Sequence, residues 1–336
     1  MKIAVDVFGG DHAPEAVLQG CVDALSKSDG YQLLLFGDEK QINERLAQYT
    51  YDQSRIRVIH APDIITTHEA PVQAIKTKKT SSLVCALNSV ASREAEVMVS
   101  AGSTGAVLAG ATLIVKRIRG IKRAALAPVM PTADNHGVLL IDCGANVDCK
   151  PEFLQQFALM GSVYMNCLFG MENPRVGLIN NGAEPEKGNA LAVAAHQLLL
   201  NTPVHFVGNA EARDIYSGAF DVVVADGFVG NAVLKVTEGI ASMLFDMIKD
   251  EMMGSFRTKM GALLAKPAFK HVKKKLDYTE YGGALLLGID GGVIKAHGSS
   301  NAKAICSTIL QAKRFIEADV VHRIKQQMSQ LSSQEL

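Results

Sequence analysis

Tryptophan is absent from this chain of 336 residues, and aromatic residues make up only 6% of it. A surface that stacks nucleic-acid bases is usually richer in aromatic side chains. The chain also has no excess of charge, because 34 basic residues balance 34 acidic ones. A neutral protein has no overall field that attracts nucleic acid. We therefore expect no nucleic-acid partner, and any charged partner must meet a local patch.

The six cysteines form no Cys-x-x-Cys pair, and most of them lie within apolar segments. This pattern speaks against a disulfide framework and a tetrahedral zinc site, and no metal is predicted. The first residues, Met-Lys-Ile-Ala-Val-Asp, already have the pattern of a strand and leave no room for a signal peptide. The expected compartment is the cytoplasm.

Short apolar runs rich in β-branched residues recur along the chain, and longer stretches with helical spacing lie between most of them. The runs are Ile3–Val7, Leu33–Phe36, Ile56–Ile59, Val97–Val99, Val138–Ile141, Val176–Ile179, Val204–Val207 and Val222–Val224. Strands that alternate with helices predict an α/β protein with a mostly parallel sheet covered on both faces, which is a three-layer αβα sandwich. No linker or repeat is visible, so residues 1–336 are predicted to form one domain.

Two stretches of 19 residues, Val97–Val115 and Phe153–Met171, lack charged side chains. Their length alone would suit a membrane span. The first has the order of a strand, a glycine turn and a helix, and the second carries Gln155, Gln156 and Asn166. We predict that both stretches are buried elements of the fold.

Residues 240–280 depart from the α/β pattern and predict an amphipathic helical hairpin that projects from the sheet. A Met-rich helix is followed by a segment, Met252–Leu276, that has seven basic residues and no acidic one. Four apolar side chains share one helical face of this segment: Phe256, Met260, Leu263 and Leu264. Its cations include Arg257, Lys266 and Lys270. Pro267 is expected to interrupt the helix.

Three interpretations of this hairpin stay open. Its cations suit anionic lipid headgroups while the apolar face inserts shallowly into a membrane. The alternative is a pair of helices that pack in a dimer and keep a solvated basic face. An acidic carrier protein docked on the same basic surface is a further interpretation.

Nearly every predicted strand ends in small or polar residues, and such ends meet at one edge of an open α/β sheet, where ligands bind. The strongest anion site is Ser100–Ala106, whose hydroxyls and permissive backbone can hold phosphate at a helix start. Gly9–Pro14 is a second turn of this kind, in which Asp11 is expected to cap the helix. In both cases the alternative is a purely structural turn from strand to helix.

Three further loops offer groups for catalysis. Lys187 in Asn180–Asn189 can neutralise phosphate or polarise an acyl oxygen, although such a charge cluster is more often simply solvated. Asn231 in Asp226–Asn231 can donate a hydrogen bond to an oxyanion. The alternative role of its side chain is a structural contact at the start of a helix. His12 and His297 lie in glycine-rich loops and either could be a base, although a lone histidine is more often a local hydrogen-bonding residue.

Two cysteines near the predicted cleft, Cys143 and Cys149, could act as nucleophiles. A role in the core or in the cleft wall is the more common one for such thiols. No serine lies in a Gly-x-Ser-x-Gly elbow, which argues against a serine hydrolase.

Taken in order, these loops resemble those of the acyl-carrier-protein:phosphate acyltransferases, a bacterial family of phospholipid synthesis. The resemblance runs from about Lys2 to about Ile316. Its motifs are Asp6–Pro14, Glu69–Pro71 with Lys78, Lys79, Ser81 and Ser82, Ser100–Ala106, Asp142–Pro151, Phe157–Gly161, Asn180–Gly188, Phe206–Glu211, Asp226–Asn231, Tyr281–Ala284 and His297–Ser299. Three positions depart from the family: Phe8 replaces a usual Met, Lys76 a common Arg and Leu285 a usual Pro. The first and third are interpreted as packing changes.

The resemblance implies a fold similar to phosphotransacetylases and isopropylmalate-type dehydrogenases, a homodimer, and neither metal nor organic cofactor. It implies transfer of a long-chain acyl group from acyl carrier protein to inorganic phosphate. It further implies a peripheral position on the inner face of the membrane, where the acyl phosphate passes to a membrane glycerol-phosphate acyltransferase.

The expected site follows from the loops and the resemblance together. The catalytic candidates are Lys187, Asn231, His297 and Asn146. The candidates for binding phosphate or substrate are Asp6, Gly10, Asp11, His12, Ser103, Thr104, Gly105, Asn180, Glu184 and Asp226. Phosphate is already partly dianionic and a carrier thiol leaves readily, so direct attack by phosphate is preferred to an acyl-cysteine intermediate.

Three other functions are weighed against this one. A short-chain phosphotransacetylase would use acetyl-coenzyme A as the donor. A decarboxylating dehydrogenase would need a metal-binding aspartate cluster and an adenosine site, and neither is evident. A non-catalytic scaffold would tether other enzymes to the membrane, but a scaffold needs no phosphate site.

Overall fold

The computed structural model describes residues 1–134, 136–276 and 282–334, with the backbone alone at 273, 274, 276 and 332–334. Its strands are β1 (Lys2–Asp6), β2 (Gln32–Gly37), β3 (Ile56–His60), β4 (Val97–Ser100), β5 (Ala125–Ala127), β6 (Val129–Met130), β7 (Val138–Ile141), β8 (Arg175–Asn180), β9 (His205–Glu211), β10 (Val222–Val224), β11 (Ala284–Leu287) and β12 (Gly292–Lys295). The predicted strand runs are confirmed, and four short strands (β5, β6, β11 and β12) join them.

The α-helices are α1 (Glu15–Lys27), α2 (Glu39–Leu46), α3 (Pro71–Thr77), α4 (Ser82–Ala91), α5 (Thr104–Gly110), α6 (Pro151–Phe169), α7 (Ala190–Leu200), α8 (Gly227–Met253), α9 (Phe256–Leu276), α10 (Ala302–Glu317) and α11 (Val320–Gln334). A π-helical turn, Ala111–Val115, continues α5. The two uncharged stretches therefore form β4 with α5 and its π turn, and α6, as predicted.

The strands form two sheets rather than one. The first has the order β3-β2-β1-β4-β12-β11-β5, and the second has the order β6-β7-β10-β8-β9. Pairing is parallel except at β11 with its two neighbours and at β6 with β7. The α/β sandwich with a mostly parallel sheet is confirmed, but its sheet is divided.

Pro128 separates β5 of the first sheet from β6 of the second, and hydrogen bonds close the joint. The backbone N–H of Cys143 donates to Leu126 O (2.8 Å), and that of Leu140 donates to Pro128 O (3.1 Å). The carboxylate of Asp142 accepts from the backbone N–H of Leu126 at 2.8 Å. Because Asp142 follows β7 and Leu126 belongs to β5, these bonds fix the two sheets to each other.

Both faces of the first sheet are buried, which explains its continuous apolar strands. Ile3 and Val5 of β1 pack into the core on the side of α1 and α10, whereas Ala4 between them packs into the core on the side of α4. Two positions that were interpreted as packing changes do lie in packed surroundings. Phe8 fills the space beside Gly37, and Leu285 is fully buried.

Helices α8 and α9 carry most of the exposed large apolar side chains of the described chain. By length and composition α8 could cross a membrane: its most apolar window has a mean hydropathy of 1.3, and 11% of that window is buried. The prediction that Pro267 interrupts the second helix is wrong, because α9 runs through it. Residues 277–280 of the predicted hairpin lie outside the described residues, as does Tyr281.

The contact between α1 and α10 depends on a residue without a side chain. A Cβ atom on Gly20 would lie 2.6 Å from both Ala302 O and Ile305 Cβ, so the two helices must separate to admit it. We predict that Gly20→Ala lowers the free energy of unfolding by about 1–3 kcal/mol, the usual cost of overpacking. Urea unfolding followed by circular dichroism measures the change.

The matched control is Gly239→Ala in α8, where an added Cβ meets nothing within 4 Å. That substitution is expected to be neutral or to stabilise α8 by up to about 1 kcal/mol through helix propensity. Equal effects of the two substitutions would contradict the packing argument.

Candidate functional site

Three polar side chains end adjacent parallel strands of the first sheet. Asp6 ends β1, Ser100 ends β4 and Lys295 ends β12, and the register pairs Ser100 with each of the other two. The hydroxyl of Ser100 donates to Asp6 Oδ2 at 2.7 Å. All three residues are buried, with at most 7% of their surface exposed. The carboxyl ends of the central strands therefore carry a buried row of one acid, one hydroxyl and one amine.

The amine of Lys295 is held by main-chain oxygens. Its Nζ donates to Ala101 O at 3.2 Å and to Ala296 O. Burial lowers the pKa of Lys295 to about 8, although the charges of Asp6 and Asp11 act in the opposite direction. Burial also raises the pKa of Asp6, against the hydrogen bonds and the charge of Lys295 that lower it. Lys295 is thus a cation at neutral pH whose charge lacks the solvation that water would give it.

The loops after β1, β4 and β12 pack directly on this row. A Cβ on Gly9 would lie 2.5 Å from Asp6 Oδ2 and 2.7 Å from Gly102 N, so only glycine fits there. The backbone N–H of Asp11 donates to Gly298 O at 2.8 Å. The prediction that these loops converge is confirmed for the loops of the first sheet.

Lys295 opens into a cavity of about 180 Å³ between the two sheets, which we call the cleft cavity. A cavity of this volume has room for several water molecules or for a tetrahedral oxyanion. Its polar lining residues come from loops of both sheets and from α8. They are Thr104, Cys143, Asn231, Lys235, Glu238, Lys295, His297 and Ser300.

The polar groups of the cleft cavity include several donors. The hydroxyl of Ser300 is buried and has no hydrogen-bond partner within the part of the chain that the structure describes. Lys235 Nζ pairs with Glu238 Oε2 at 2.8 Å. His297 Nδ1 accepts from the backbone N–H of Ser299 at 3.2 Å, and burial lowers the pKa of its ring. Burial therefore favours the neutral form of the imidazole.

Three of the predicted residues line the cleft cavity: Thr104, Asn231 and His297. Asp6 lies beneath it in the buried row. Ser103 stands beside Thr104, but its oxygen caps α5 by accepting from Ala106 N at 3.4 Å. Gly105 packs against Pro71, whose Cγ would lie 2.7 Å from an added Cβ.

The turn after β1 contributes backbone rather than side chains. Gly10 has a φ of 109°, in the region that favours glycine. Asp11 and His12 are exposed and are not among the residues lining the cleft cavity. The expected cap by Asp11 is wrong, because α1 begins after Pro14 without a side-chain cap.

The loop after β8 lies elsewhere. Asn180 and Asp226 line a separate cavity of about 390 Å³ on the second sheet. Asp226 caps α8 by accepting from Val229 N at 2.8 Å. Lys187 and Glu184 are exposed, and the backbone oxygen of Lys187 accepts from Asn180 Nδ2 at 2.9 Å. The structure does not bring Lys187 to the cleft cavity, and its catalytic role stays a prediction.

Asn146 supports the joint between the sheets. Its Nδ2 donates to Ala124 O at 2.7 Å and to Asp142 Oδ2 at 2.9 Å, and its backbone N–H donates to the same oxygen at 2.7 Å. Asp142 is fully buried, and these bonds act against the burial that raises the pKa of its carboxyl. Both Nδ2 hydrogens of Asn146 are engaged, so its contacts are those of a positioning residue.

The two candidate thiols are poor nucleophiles. Cys143 lines the cleft cavity but is 2% exposed, and burial raises its pKa well above the ordinary range. Burial and the charge of Asp142 raise the pKa of Cys149 to about 11. Since the thiolate is the reactive form, both side chains are nearly unreactive at neutral pH.

Sequence reasoning missed Lys295, Lys235, Glu238 and Ser300. Lys295 could have been found from the sequence, because it ends an apolar run just before a glycine-containing loop. The other strand ends were recognised by this same pattern. The run Gly292–Ile294 is so short that it was not recognised as a strand. Among the described residues, no group of three or more His, Cys, Asp and Glu side chains is arranged to hold a metal ion.

Comparisons with known proteins agree with this architecture. The family described as fatty acid synthesis protein matches residues 1–323. A phosphate acyltransferase of Clostridium novyi is 52% identical over 98% of this chain and 99% of its own length. A phosphate acyltransferase of Clostridium acetobutylicum is 48% identical over 99% of this chain and 100% of its own length.

Solved structures show the same fold at low identity. A phosphotransacetylase from Streptococcus pyogenes has a TM-score of 0.61 at 17% identity, covering 96% of this chain and 94% of that one. The EutD phosphotransacetylase from Staphylococcus aureus has a TM-score of 0.60 at 16% identity, covering 94% of each chain.

The environment of Cys149 leads to a prediction about alkylation. With a pKa of about 11, its thiolate fraction at neutral pH is roughly 300-fold below that of an ordinary cysteine. We expect the rate of iodoacetamide labelling at Cys149 in the folded protein to rise about tenfold per pH unit up to pH 10. Mass spectrometry of the Cys149 peptide measures this rate, with the urea-unfolded protein as control. A rate that levels off near pH 9 would contradict the raised pKa.

Proposed function

The chain belongs to the fatty acid synthesis protein family and is an acyltransferase, and on this premise we propose that it transfers a long-chain fatty-acyl group from acyl carrier protein to inorganic phosphate. The product is an acyl phosphate, which serves phosphatidic acid and phospholipid synthesis. The relatives named phosphate acyltransferase support phosphate as the acceptor. The carrier-protein donor rests on the sequence resemblance.

The observation that carries the proposal is the buried cation of Lys295 in the cleft cavity. An ammonium removed from water gains most from an anion that replaces its lost solvation. Ser300, Thr104 and Asn231 add neutral donors that suit phosphate oxygens. Inorganic phosphate is the smallest substrate of the proposed reaction, and it matches a cavity of about 180 Å³.

The proposed chemistry needs no covalent intermediate. A phosphate oxygen attacks the thioester carbonyl, and the carbonyl oxygen becomes an oxyanion that Asn231 and Lys295 stabilise. The C–S bond then breaks, and the carrier thiolate leaves with its electron pair. The proton of hydrogen phosphate passes to that thiolate, which balances the reaction as acyl phosphate plus thiol. Holding both reactants in one cleft supplies much of the rate.

The raised pKa values of Cys143 and Cys149 favour direct attack over an acyl-cysteine intermediate. The fold itself does not choose between donors, because phosphotransacetylases share it. A short-chain reaction with acetyl-coenzyme A is therefore the second candidate.

The reaction is tested by incubating the purified protein with palmitoyl carrier protein and inorganic phosphate and trapping acyl phosphate as its hydroxamate. Product that depends on phosphate supports the proposal. Product from acetyl-coenzyme A alone would support the second candidate. Absence of product with either donor, from a folded protein, would refute both.

Replacing Lys295 tests the role of its charge. We predict that Lys295→Met lowers kcat/KM for phosphate by about tenfold to a hundredfold, the value of a hydrogen bond to a charged group. The KM for the acyl donor should change little. Met keeps the volume of the side chain but leaves the buried carboxyl of Asp6 without its cation, so circular dichroism must show that the variant is folded. Unchanged kcat/KM for phosphate would contradict the assignment.

The lowered pKa of Lys295 also sets a pH dependence. The ammonium loses its proton as pH rises through about 8, so the attraction for phosphate weakens above that value. In the natural protein kcat/KM for phosphate should fall above pH 8, and this fall should be absent in Lys295→Met.

We further propose that the α8–α9 hairpin places the enzyme on the inner face of an anionic membrane as a peripheral protein. Phe256 is 79% exposed and Leu264 81% exposed, which is costly in water for side chains of this size. Arg257, Lys266 and Lys270 provide attraction to acidic headgroups. Membrane contact suits a product that passes to a membrane glycerol-phosphate acyltransferase. The homodimer implied by the resemblance stays a prediction.

The hairpin is tested by co-sedimentation with phosphatidylglycerol-containing vesicles. The double variant Leu263→Glu, Leu264→Glu is expected to weaken binding at least about tenfold, through lost burial of two leucines and added repulsion. The control is Leu200→Glu, which changes a leucine of 59% exposure at the end of α7. Equal binding of both variants would refute membrane insertion by this face.

A further inference from the structure

A second depression lies beside the cleft cavity, along helix α5 and two strands of the first sheet, β5 and β11. Helix α5 and its π turn place Thr104 in the cleft cavity and Leu108 and Thr112 in the second depression. Spacings of four residues keep these three side chains on one helical face. Their Cα atoms span roughly 12 Å at 1.5 Å per residue.

The neighbouring strands repeat the arrangement. Leu126 of β5 lines the cleft cavity, and Ala124, which immediately precedes this strand, lines the second depression. In β11, Ala284 lines the first and Leu286 the second. Residues two apart in a strand share one face, so each strand crosses both depressions on the same side. The two depressions therefore lie end to end on one face of the sheet, and we call this line the trough; Lys295 lies at one end of it.

The far end of the trough carries two arginines, Arg117 and Arg123, around a volume of about 490 Å³ that we call the arginine groove. They belong to a loop, residues 116–123, that has five basic residues and no acidic one. Within the part of the chain that the structure describes, neither arginine forms an ion pair. Asp148 is the acidic residue of the lining.

Both arginines are anchored without losing their charge. Arg117 donates to Lys122 O, and its backbone bridges to Ile289. The guanidinium of Arg123 lies 5.4 Å from the centre of the Phe153 ring. Two fixed guanidinium groups with spare donors form an arrangement that suits a phosphate ester.

We propose that the arginine groove binds the phosphodiester of the phosphopantetheine arm of the acyl donor, so that the arm lies along the trough and its thioester reaches the cleft cavity. This inference rests on the proposed function, since it assigns the donor's position at the same site. The phosphopantetheine arm carries its one phosphate at the end remote from the reacting carbonyl. The parts of the trough follow the same order as the parts of the arm. The arginines form its cationic end, apolar residues such as Leu108 and Leu286 line its middle, and the cleft cavity forms its other end.

Direct binding tests the inference without turnover. Calorimetry compares phosphopantetheine with pantetheine, which lacks the phosphate. The natural protein should bind phosphopantetheine at least about tenfold more tightly, as expected for charge-assisted hydrogen bonds. The double variant Arg117→Gln, Arg123→Gln should abolish this preference. The control is Arg119→Gln, on the same loop but not among the residues that line the groove, and it should retain the preference.

Kinetics with three donors separate the sources of the effect. The double variant should raise the KM of acyl carrier protein and of acyl-coenzyme A similarly, and leave that of an S-acyl-N-acetylcysteamine unchanged. A rise with the carrier protein alone would mean that the arginines meet the carrier's surface, and would overturn the inference. Equal affinity of the natural protein for phosphopantetheine and pantetheine would also overturn it. Failure of the proposed reaction appears separately, as absence of acyl phosphate with every donor.

Discussion

The ammonium of Lys295 is buried at the end of β12, and the organisation of the cleft depends on how its charge is compensated. Removing such an ion from water costs several kcal/mol unless partners replace the water. Main-chain oxygens of Ala101 and Ala296 supply part of the compensation, and Asp6 supplies charge from two strands away. The lowered pKa shows that this compensation is incomplete. Under the proposed function, an anion such as phosphate in the cleft cavity completes it.

The position of that cation relative to the second sheet depends on Asp142. Its carboxylate accepts from Leu126 of the first sheet and from Ala145 and Asn146 of its own turn, so one buried side chain joins both halves of the fold. Asn231 at the start of α8 reaches the cleft from the second half, beside the same turn. The joint therefore sets the distance between Lys295 of the first sheet and Asn231 of the second, the groups that we propose to bind phosphate and the oxyanion. Such preorganisation is what acyl transfer requires.

The fold could be predicted from the sequence because both faces of the long strands are buried, and their apolar runs are unmistakable. Strands β5, β6, β11 and β12 are short and were not predicted. Because Lys295 ends β12, it was not recognised as a site residue. The rule that strand ends converge holds within one sheet. Since the sequence did not reveal that the sheet is divided, it grouped Lys187 and Asn180 with Thr104 and His297, which the structure separates. The prediction of a break at Pro267 was wrong because it relied on the low helix propensity of proline alone, whereas α9 continues through this residue.

We propose that phosphate binds against the ammonium of Lys295. The most direct measurement is the titration of this one amine by NMR, on protein labelled at lysine Nζ and assigned by comparison with Lys295→Met. In the unliganded enzyme the pKa should lie near 8. Saturating phosphate should raise it, because a bound anion stabilises the charged form. A pKa that phosphate leaves unchanged would contradict binding of phosphate at this amine.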